Sequence, residues 1–275
     1  MAVRTNSSNV FWGAPMPAIE GASVRYYYEL SGNADGDVLV FVNSLGSNLR
    51  MWEKVLPVFE RSYRVLRYDM RGHGQSSAPL GPYSIEELGE DLLFLLNHLG
   101  FDRVNLCGLS LGGLVVMWVA IHAPQRVRRI ILANTAARIG TSEAWNQRIA
   151  AAQSMCMASL AEATIDRWFT SSYRDCHVAE MELIRTMIAS TDANAYTACC
   201  GVLRDTDLRS KLGSIKVPSL VIAGKYDPAT PPSDGRALYS ALQASSYVEL
   251  DGSHLSAWEQ HEAFAEAAHS FLGLR

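Results

Sequence analysis

The chain has 275 residues, 48% of them hydrophobic, with a formal net charge of −4 and 19% charged residues. That length and apolar share support one large folded domain, or a domain carrying an inserted piece. So sparse a charge offers no electrostatic footprint for nucleic acid or an anionic membrane, and leaves a small molecule as the expected partner.

Residues 1–20 are polar, contain proline and carry weak patterning, which predicts a loose lead-in. Residues 23–30 and 37–43 read as strands, separated by the turn-forming cluster Ser31-Gly-Asn-Ala-Asp-Gly36. Val38-Leu-Val-Phe-Val42 is apolar throughout, as a central strand buried on both faces should be. It runs into Asn43-Ser44-Leu45-Gly46-Ser47, a loop at the carboxyl end of a strand, where open sheets bind ligands. Residues 49–59 have helical spacing with Pro57 as a bend or end, and 63–68 form the next strand. In the turn Asp69-Met-Arg-Gly-His-Gly74, Asp69 and Arg71 are expected to brace the loop and His73 to be structural. Residues 84–99 form an amphipathic helix, with Ser84 as N-cap, Glu87 three positions later and Gly100 as the stop.

Residues 103–107 are strand-like and 111–121 are apolar enough for a buried helix. Between them stands Gly108-Leu-Ser-Leu-Gly112, a Gly-x-Ser-x-Gly turn in the strand–turn–helix setting of a nucleophile elbow. Glycines on both sides permit the sharp turn that leaves Ser110 strained with its hydroxyl outward. A strand at 127–134 follows. From 141 to 212 the alternation stops, and only helix-like stretches remain, at 142–158, 160–169, 177–190 and 194–204. The expected organisation is a lead-in at 1–20, a core of 21–140 with 213–275, and a helical cap, or lid, at 141–212 over the carboxyl end of the sheet. Strand 218–224, helix 232–242, strand 247–250 and helix 255–272 complete the chain. The fold class is therefore α/β, a mostly parallel central sheet flanked by helices.

Asp227 and His254 each follow a late strand, so the chain order is Ser110, Asp227, His254, the order α/β-hydrolases use. His254 would take the proton of Ser110 while Asp227 holds the imidazole tautomer and stabilises the imidazolium. Asp251 is the rival acid, but it lies too close along the chain to His254 to approach its ring easily. The oxyanion donors are expected to be the amide of Leu111, just after the nucleophile, and that of Leu45, with Gly46 letting its backbone come close.

With these residues placed, the chain resembles the α/β-hydrolase superfamily and, more narrowly, the 3-oxoadipate enol-lactonases, over about residues 43–272. The resemblance is carried by Asn43-Ser-Leu-Gly46 with Arg50-Met-Trp52, Arg67-Tyr-Asp-Met-Arg-Gly-His-Gly74 and Cys107-Gly-Leu-Ser-Leu-Gly-Gly113. Asn134-Thr-Ala-Ala-Arg-Ile-Gly140, Trp145-Asn146 and Tyr247-Val-Glu-Leu-Asp251 add to it. Asn43-Ser44 stands where many superfamily members carry His-Gly, in agreement with the lactonases, and places Ser44 at the substrate. Ser110 separates the chain from dehalogenase and epoxide hydrolase relatives, which place an aspartate there.

The resemblance implies Ser-His-Asp opening of an unsaturated lactone that bears a carboxylate, in the catabolism of aromatic acids, with no cofactor. Such a carboxylate would want a cation, for which Arg138 and Arg148 are candidates, with Trp145 as a pocket wall. The alternatives are a carboxylesterase, another lactonase, or a ligand-binding protein on a hydrolase fold. No stretch of about 18 uncharged apolar residues suggests a membrane span, and Met1-Ala-Val-Arg-Thr-Asn-Ser-Ser8 lacks the apolar segment of a secretory signal. Five unevenly spaced cysteines fit reduced thiols, and they combine with the seven histidines in no zinc pattern. The expected location is the cytoplasm, and a homo-oligomer is left open.

Overall fold

Three uncharged runs, Val38–Val42, Val104–Leu109 and Ser219–Gly224, are almost wholly buried and lie in the middle of one sheet. Apolar runs of five or six residues can satisfy their backbone groups only through neighbours on both sides, and a parallel sheet covered on both faces supplies that. A computed structural model describes residues 18–273. Its eight strands are β1 (Ala18–Glu20), β2 (Arg25–Gly32), β3 (Val38–Val42), β4 (Arg64–Tyr68), β5 (Val104–Leu109), β6 (Val127–Ala133), β7 (Ser219–Gly224) and β8 (Ser245–Leu250). They lie in the order β1-β2-β4-β3-β5-β6-β7-β8. β2 pairs antiparallel with both β1 and β4, and the other pairings are parallel.

The core helices are α1 (Leu56–Phe59), α2 (Ile85–His98) and α3 (Leu111–His122). α2 opens with the capping box its sequence predicts: the Ser84 hydroxyl accepts the Glu87 amide at 3.2 Å and the Glu87 carboxylate accepts the Ser84 amide at 2.9 Å. α3 is apolar on every side because it is enclosed on every side, with Leu111 to Ala120 all buried. Between β6 and β7 the chain forms only helices: α4 (Ser142–Ser154), α5 (Met157–Trp168), α6 (Ser171–Cys176), α7 (Val178–Ala189) and α8 (Ala193–Asp205). After β7 come α9 (Pro232–Ala241), α10 (Ser256–Glu259) and α11 (His261–Gly273).

The structure corrects several local expectations. Of the lead-in at 1–20, residues 1–17 lie outside the described residues, and Ala18–Glu20 pair with β2 as an edge strand. Pro57 does not end a helix but sits in the first turn of α1, where its missing N–H costs nothing. A 3₁₀ turn at Leu49–Trp52 precedes it. The helix expected at 142–158 breaks at Met155 and Cys156, both extended, and the one expected at 255–272 breaks at Gln260. The short α6 was not expected. Among the described residues no helix is long and apolar enough to cross a membrane.

Two polar knots tie the helical insert to the core. Glu180 of α7 accepts from Lys54 at 2.7 Å, Tyr173 at 2.6 Å and the Trp258 indole at 2.7 Å. Lys54 also lies over the rings of Tyr173 and Trp258, at 5.5 and 5.3 Å. The second knot flanks His254: the Ser253 hydroxyl donates to the Arg167 carbonyl and the Leu255 amide to the Trp168 carbonyl, both at 2.9 Å.

Burial pushes the Glu180 carboxyl up, but Lys54, Tyr173 and Trp258 together hold it down, from 4.5 to about 2. A depressed carboxyl stabilises the fold above its ordinary pKa and loses that contribution as pH falls through the folded one. Glu180→Gln should therefore lower thermal stability near neutral pH, by about 1 kcal/mol once solvent screening is allowed for. The gap from wild type should narrow in thermal melts below pH 4.5 and close toward about 2. A gap constant across that range would show that the charge of Glu180 is not what holds the insert.

Candidate active site

Ser110 sits between β5 and α3 at φ 57° and ψ −114°, a conformation worth about 1–3 kcal/mol of strain in a residue with a Cβ. Its neighbours hold it there. The Ser110 amide donates to the Ala133 carbonyl at 3.0 Å, and the Ser110 carbonyl accepts from the Gly113 amide at 2.9 Å and the Thr135 hydroxyl at 2.7 Å. A Cβ on Gly108 would stand 2.2 Å from the Gly112 oxygen, and one on Gly112 would stand 2.2 Å from the Val42 oxygen. Both glycines are therefore demanded by close backbone approach on either side of the serine.

His254 lies in the loop after β8. Its Nδ1 donates to Asp227 Oδ2 at 2.8 Å, a bond that assigns the tautomer and leaves Nε2 as the ring nitrogen with a free lone pair. The Asp227 carboxylate is buried and fully engaged. Oδ2 also accepts from the Thr230 hydroxyl at 2.7 Å and the Asn134 amide at 3.0 Å, and Oδ1 accepts from the amides of Ala229 and Thr230 at 2.8 and 3.0 Å. Burial alone would raise this carboxyl. The charge and hydrogen bond of His254, with the donors of Thr230 and Asn134, outweigh burial and hold it below the usual carboxylate range. The rival Asp251 faces solvent and pairs with Lys225 at 3.1 Å.

Ser110 and His254 line one cavity of about 240 Å³ beneath the helical insert. Among the described residues His254 bonds only through Nδ1, so its Nε2 carries no bond to the Ser110 hydroxyl. Unliganded sites commonly hold this contact long and tighten it with substrate. A larger cleft of about 780 Å³, bordered by Tyr173, His177, Tyr226 and Asp251, contains none of the three residues. Among the described residues no group of three or more His, Cys, Asp or Glu side chains is placed to hold a metal ion.

The loop at 43–47 is fixed from three directions. Asn43 donates to the Tyr68 carbonyl at 2.8 Å and accepts from the Trp52 indole at 2.9 Å. The Ser47 hydroxyl donates to the Ser44 carbonyl at 2.7 Å. Gly46, at φ 73°, donates its amide to His73 Nε2 at 3.0 Å, while His73 Nδ1 meets the Arg71 carbonyl at 3.1 Å. Burial pushes the His73 imidazole down, so it stays the neutral acceptor this amide requires. Asp69 braces the same region by accepting the amides of Leu49 and Gln75, and Arg71 forks onto Asp91. Among the described residues neither the Leu45 nor the Leu111 amide donates a hydrogen bond. Leu45 lines the cavity and Leu111 opens α3, where first-turn amides lack helical partners.

The structure brings together most of the residues singled out for substrate contact, but not all. Ser44, Trp145 and Arg148 line the cavity with Ser110. Arg138 does not. It lies in a bend after β6, where it faces Asp207 at 3.7 Å, while its neighbour Ile139 lines the cavity. Two residues at the site carried no role in the sequence reading. Asn134, at φ 44°, joins Asp227 to the Ser253 carbonyl; the only local hint is an asparagine, tolerant of the left-handed region, at the end of a buried strand. Arg167, near the end of α5, reaches the same cavity.

A model of the α/β hydrolase fold matches residues 37–155 of the chain, and one described as TAP-like protein matches 187–273. The chain is 40% identical to 3-oxoadipate enol-lactonase 2 of Acinetobacter baylyi over 90% of its own length and 93% of that protein. It belongs to the enol-lactonase family of α/β-hydrolases. A second enol-lactonase of that organism, 3-oxoadipate enol-lactonase 1, is 36% identical over 89% of the chain and 91% of its own length. The crystal structure of the enol-lactonase from Burkholderia xenovorans LB400 superposes with a TM-score of 0.92 at 40% identity, covering 94% of this chain and all of that one. Within this enol-lactonase framework, Asn134→Gly should keep the backbone conformation and remove one donor from Asp227. We expect kcat/KM to fall about tenfold, the worth of one charge-assisted hydrogen bond, and the melting temperature to fall as well, since the bonds of Asn134 to the Ser253 carbonyl and the Ser256 hydroxyl are lost with it. Undiminished turnover would relegate Asn134 to packing.

Proposed function

We propose that this protein hydrolyses 3-oxoadipate enol-lactone to 3-oxoadipate, a step in the catabolism of aromatic acids, with Ser110, His254 and Asp227 as its catalytic residues. The observation that carries the reading is the shared cavity of Ser110 and His254 in a chain 40% identical to an enol-lactonase. About 240 Å³ lies below the usual range of roughly 300–1,000 Å³ for ligand sites, which suits a small ring and not a long acyl chain.

His254 Nε2 takes the proton of the Ser110 hydroxyl as its oxygen adds to the lactone carbonyl. The negative charge that develops on the carbonyl oxygen is met by the amides of Leu45 and Leu111, held in place before the reaction begins. Collapse of the tetrahedral adduct breaks the ring ester bond. The enol oxygen leaves, takes the proton from His254 and tautomerises to the ketone, which removes the group that could re-close the ring. The product's acyl end is then an ester of Ser110. Water, deprotonated by His254, adds to it through the same donors and frees the serine. Asp227 keeps Nδ1 protonated throughout and stabilises each imidazolium.

Ser44 flanks the Leu45 donor, Trp145 forms a wall, and Arg148 adds positive potential for an anionic substrate. Arg148 is already engaged, donating to the Tyr196 hydroxyl at 2.8 Å and the Thr164 hydroxyl at 2.6 Å. We place the enzyme in the cytoplasm, where its free cysteines would stay reduced.

Consumption of the enol-lactone, followed by its ultraviolet absorbance, should be rapid for wild type and slower by at least about 10⁴-fold for Ser110→Ala. Rapid hydrolysis of simple esters beside an inert enol-lactone would make the protein a carboxylesterase. Full activity in Ser110→Ala would remove the nucleophile from the scheme.

A further inference from the structure

Arg167 lines the cavity of Ser110 and His254, and the triad leaves its chemistry unused. Its backbone is pinned beside the base: the carbonyls of Arg167 and Trp168 accept from Ser253 and Leu255, the residues on either side of His254. Its side chain lines the same cavity as Ser110. Among the described residues the guanidinium meets no carboxylate, carbonyl or hydroxyl at bonding distance; the like charge of Arg148 acts on it, opposed more weakly by Tyr196. Burial, reinforced by that repulsion, pushes its pKa down.

Other arginines with little exposure behave differently. Arg71 pairs with Asp91 at 2.6 Å and Glu87 at 2.8 Å, and Arg67 with Glu29. Arg148, in the same cavity, has two donors committed to hydroxyls and lies 5.7 Å from the Tyr196 ring centre. A partly desolvated guanidinium facing another, with no anion between them, is costly unless an anion arrives. A planar fork with free donors is matched by a carboxylate.

We infer that Arg167 binds the carboxylate of the substrate and makes the site selective for acyl compounds carrying one. The inference rests on the proposed hydrolase chemistry at Ser110, but not on the lactone as its substrate. The carboxylate then lies on the His254 side of the cavity, and Arg148 acts through its wall.

Two nitrophenyl esters that differ only in a terminal carboxylate, mono-p-nitrophenyl glutarate and p-nitrophenyl butyrate, test this apart from the lactone. Wild type should prefer the glutarate ester. Arg167→Met should lower kcat/KM for it by about 10- to 100-fold, chiefly through KM, and leave the butyrate ester within about twofold. Its melting temperature should hold or rise, since a repulsive, poorly solvated charge is gone. Arg148→Met, which removes wall contacts as well as part of the positive potential, should slow both esters and discriminate between them less than Arg167→Met does. Equal loss on both esters in Arg167→Met with a lowered melting temperature would make the residue structural and overturn the inference, as would a wild type indifferent to the carboxylate. An inert enol-lactone beside intact preference for the glutarate ester would overturn the lactonase assignment and support Arg167.

Discussion

The positive φ of Ser110 is the constraint on which the site depends. An L-residue stays in that region only when its surroundings over-determine it. Here β5 and β6 fix the Ser110 amide, α3 and Thr135 fix its carbonyl, and the approach of Val42 and Gly112 excludes any side chain on the flanking glycines. The only other described non-glycine residue with positive φ is Asn134, at the end of the adjacent strand. Among the described residues positive φ outside glycine is thus confined to two neighbouring strand ends, one carrying Ser110 and the other bonded to Asp227. The buried parallel sheet beneath, with its ladder of apolar residues, supplies the stability that offsets the strain.

The loop of His254 is organised differently, from above. His254 stands in a loop, and loops owe their geometry to whatever packs on them. Asp227 orients its ring, while the insert grips the residues on both sides through carbonyls at the end of α5. Glu259 extends this grip, accepting the Ser253 amide at 2.7 Å and the Thr170 amide at 3.1 Å. The helical insert therefore does more than cover the cavity: the position of the base and the position of Arg167 are set by one set of hydrogen bonds.

What the sequence makes legible here is what local chemistry encodes. Buried parallel strands announce themselves as uncharged runs, α2 by its capping box, and the elbow by glycines that the observed close approaches demand. Asp227 and His254 could be expected to meet because each follows a late strand, and β7 and β8 are neighbours in the sheet. Contacts across long sequence separations were not legible. Nothing near Arg138 or Arg167 says that one turns outward to Asp207 and the other inward, since that depends on how the insert is laid on the core. Asn134 could be noticed but not interpreted, because its partner lies 93 residues away. The helix breaks at Met155 and Gln260 involve neither glycine nor proline and carry no strong local signal.

The bond from Gly46 to His73 joins loops 27 residues apart in sequence. The conformation that leaves the Leu45 amide without a protein acceptor among the described residues is thus not a property of the five-residue loop that contains it. Grafted alone into another hydrolase, residues 43–47 would arrive without the acceptor that turns Gly46, and the donor would drift. The unit that can be transplanted, or exchanged between relatives by recombination, is the pair of loops together, and a change in one is tolerated only if the other keeps an unprotonated ring nitrogen facing it.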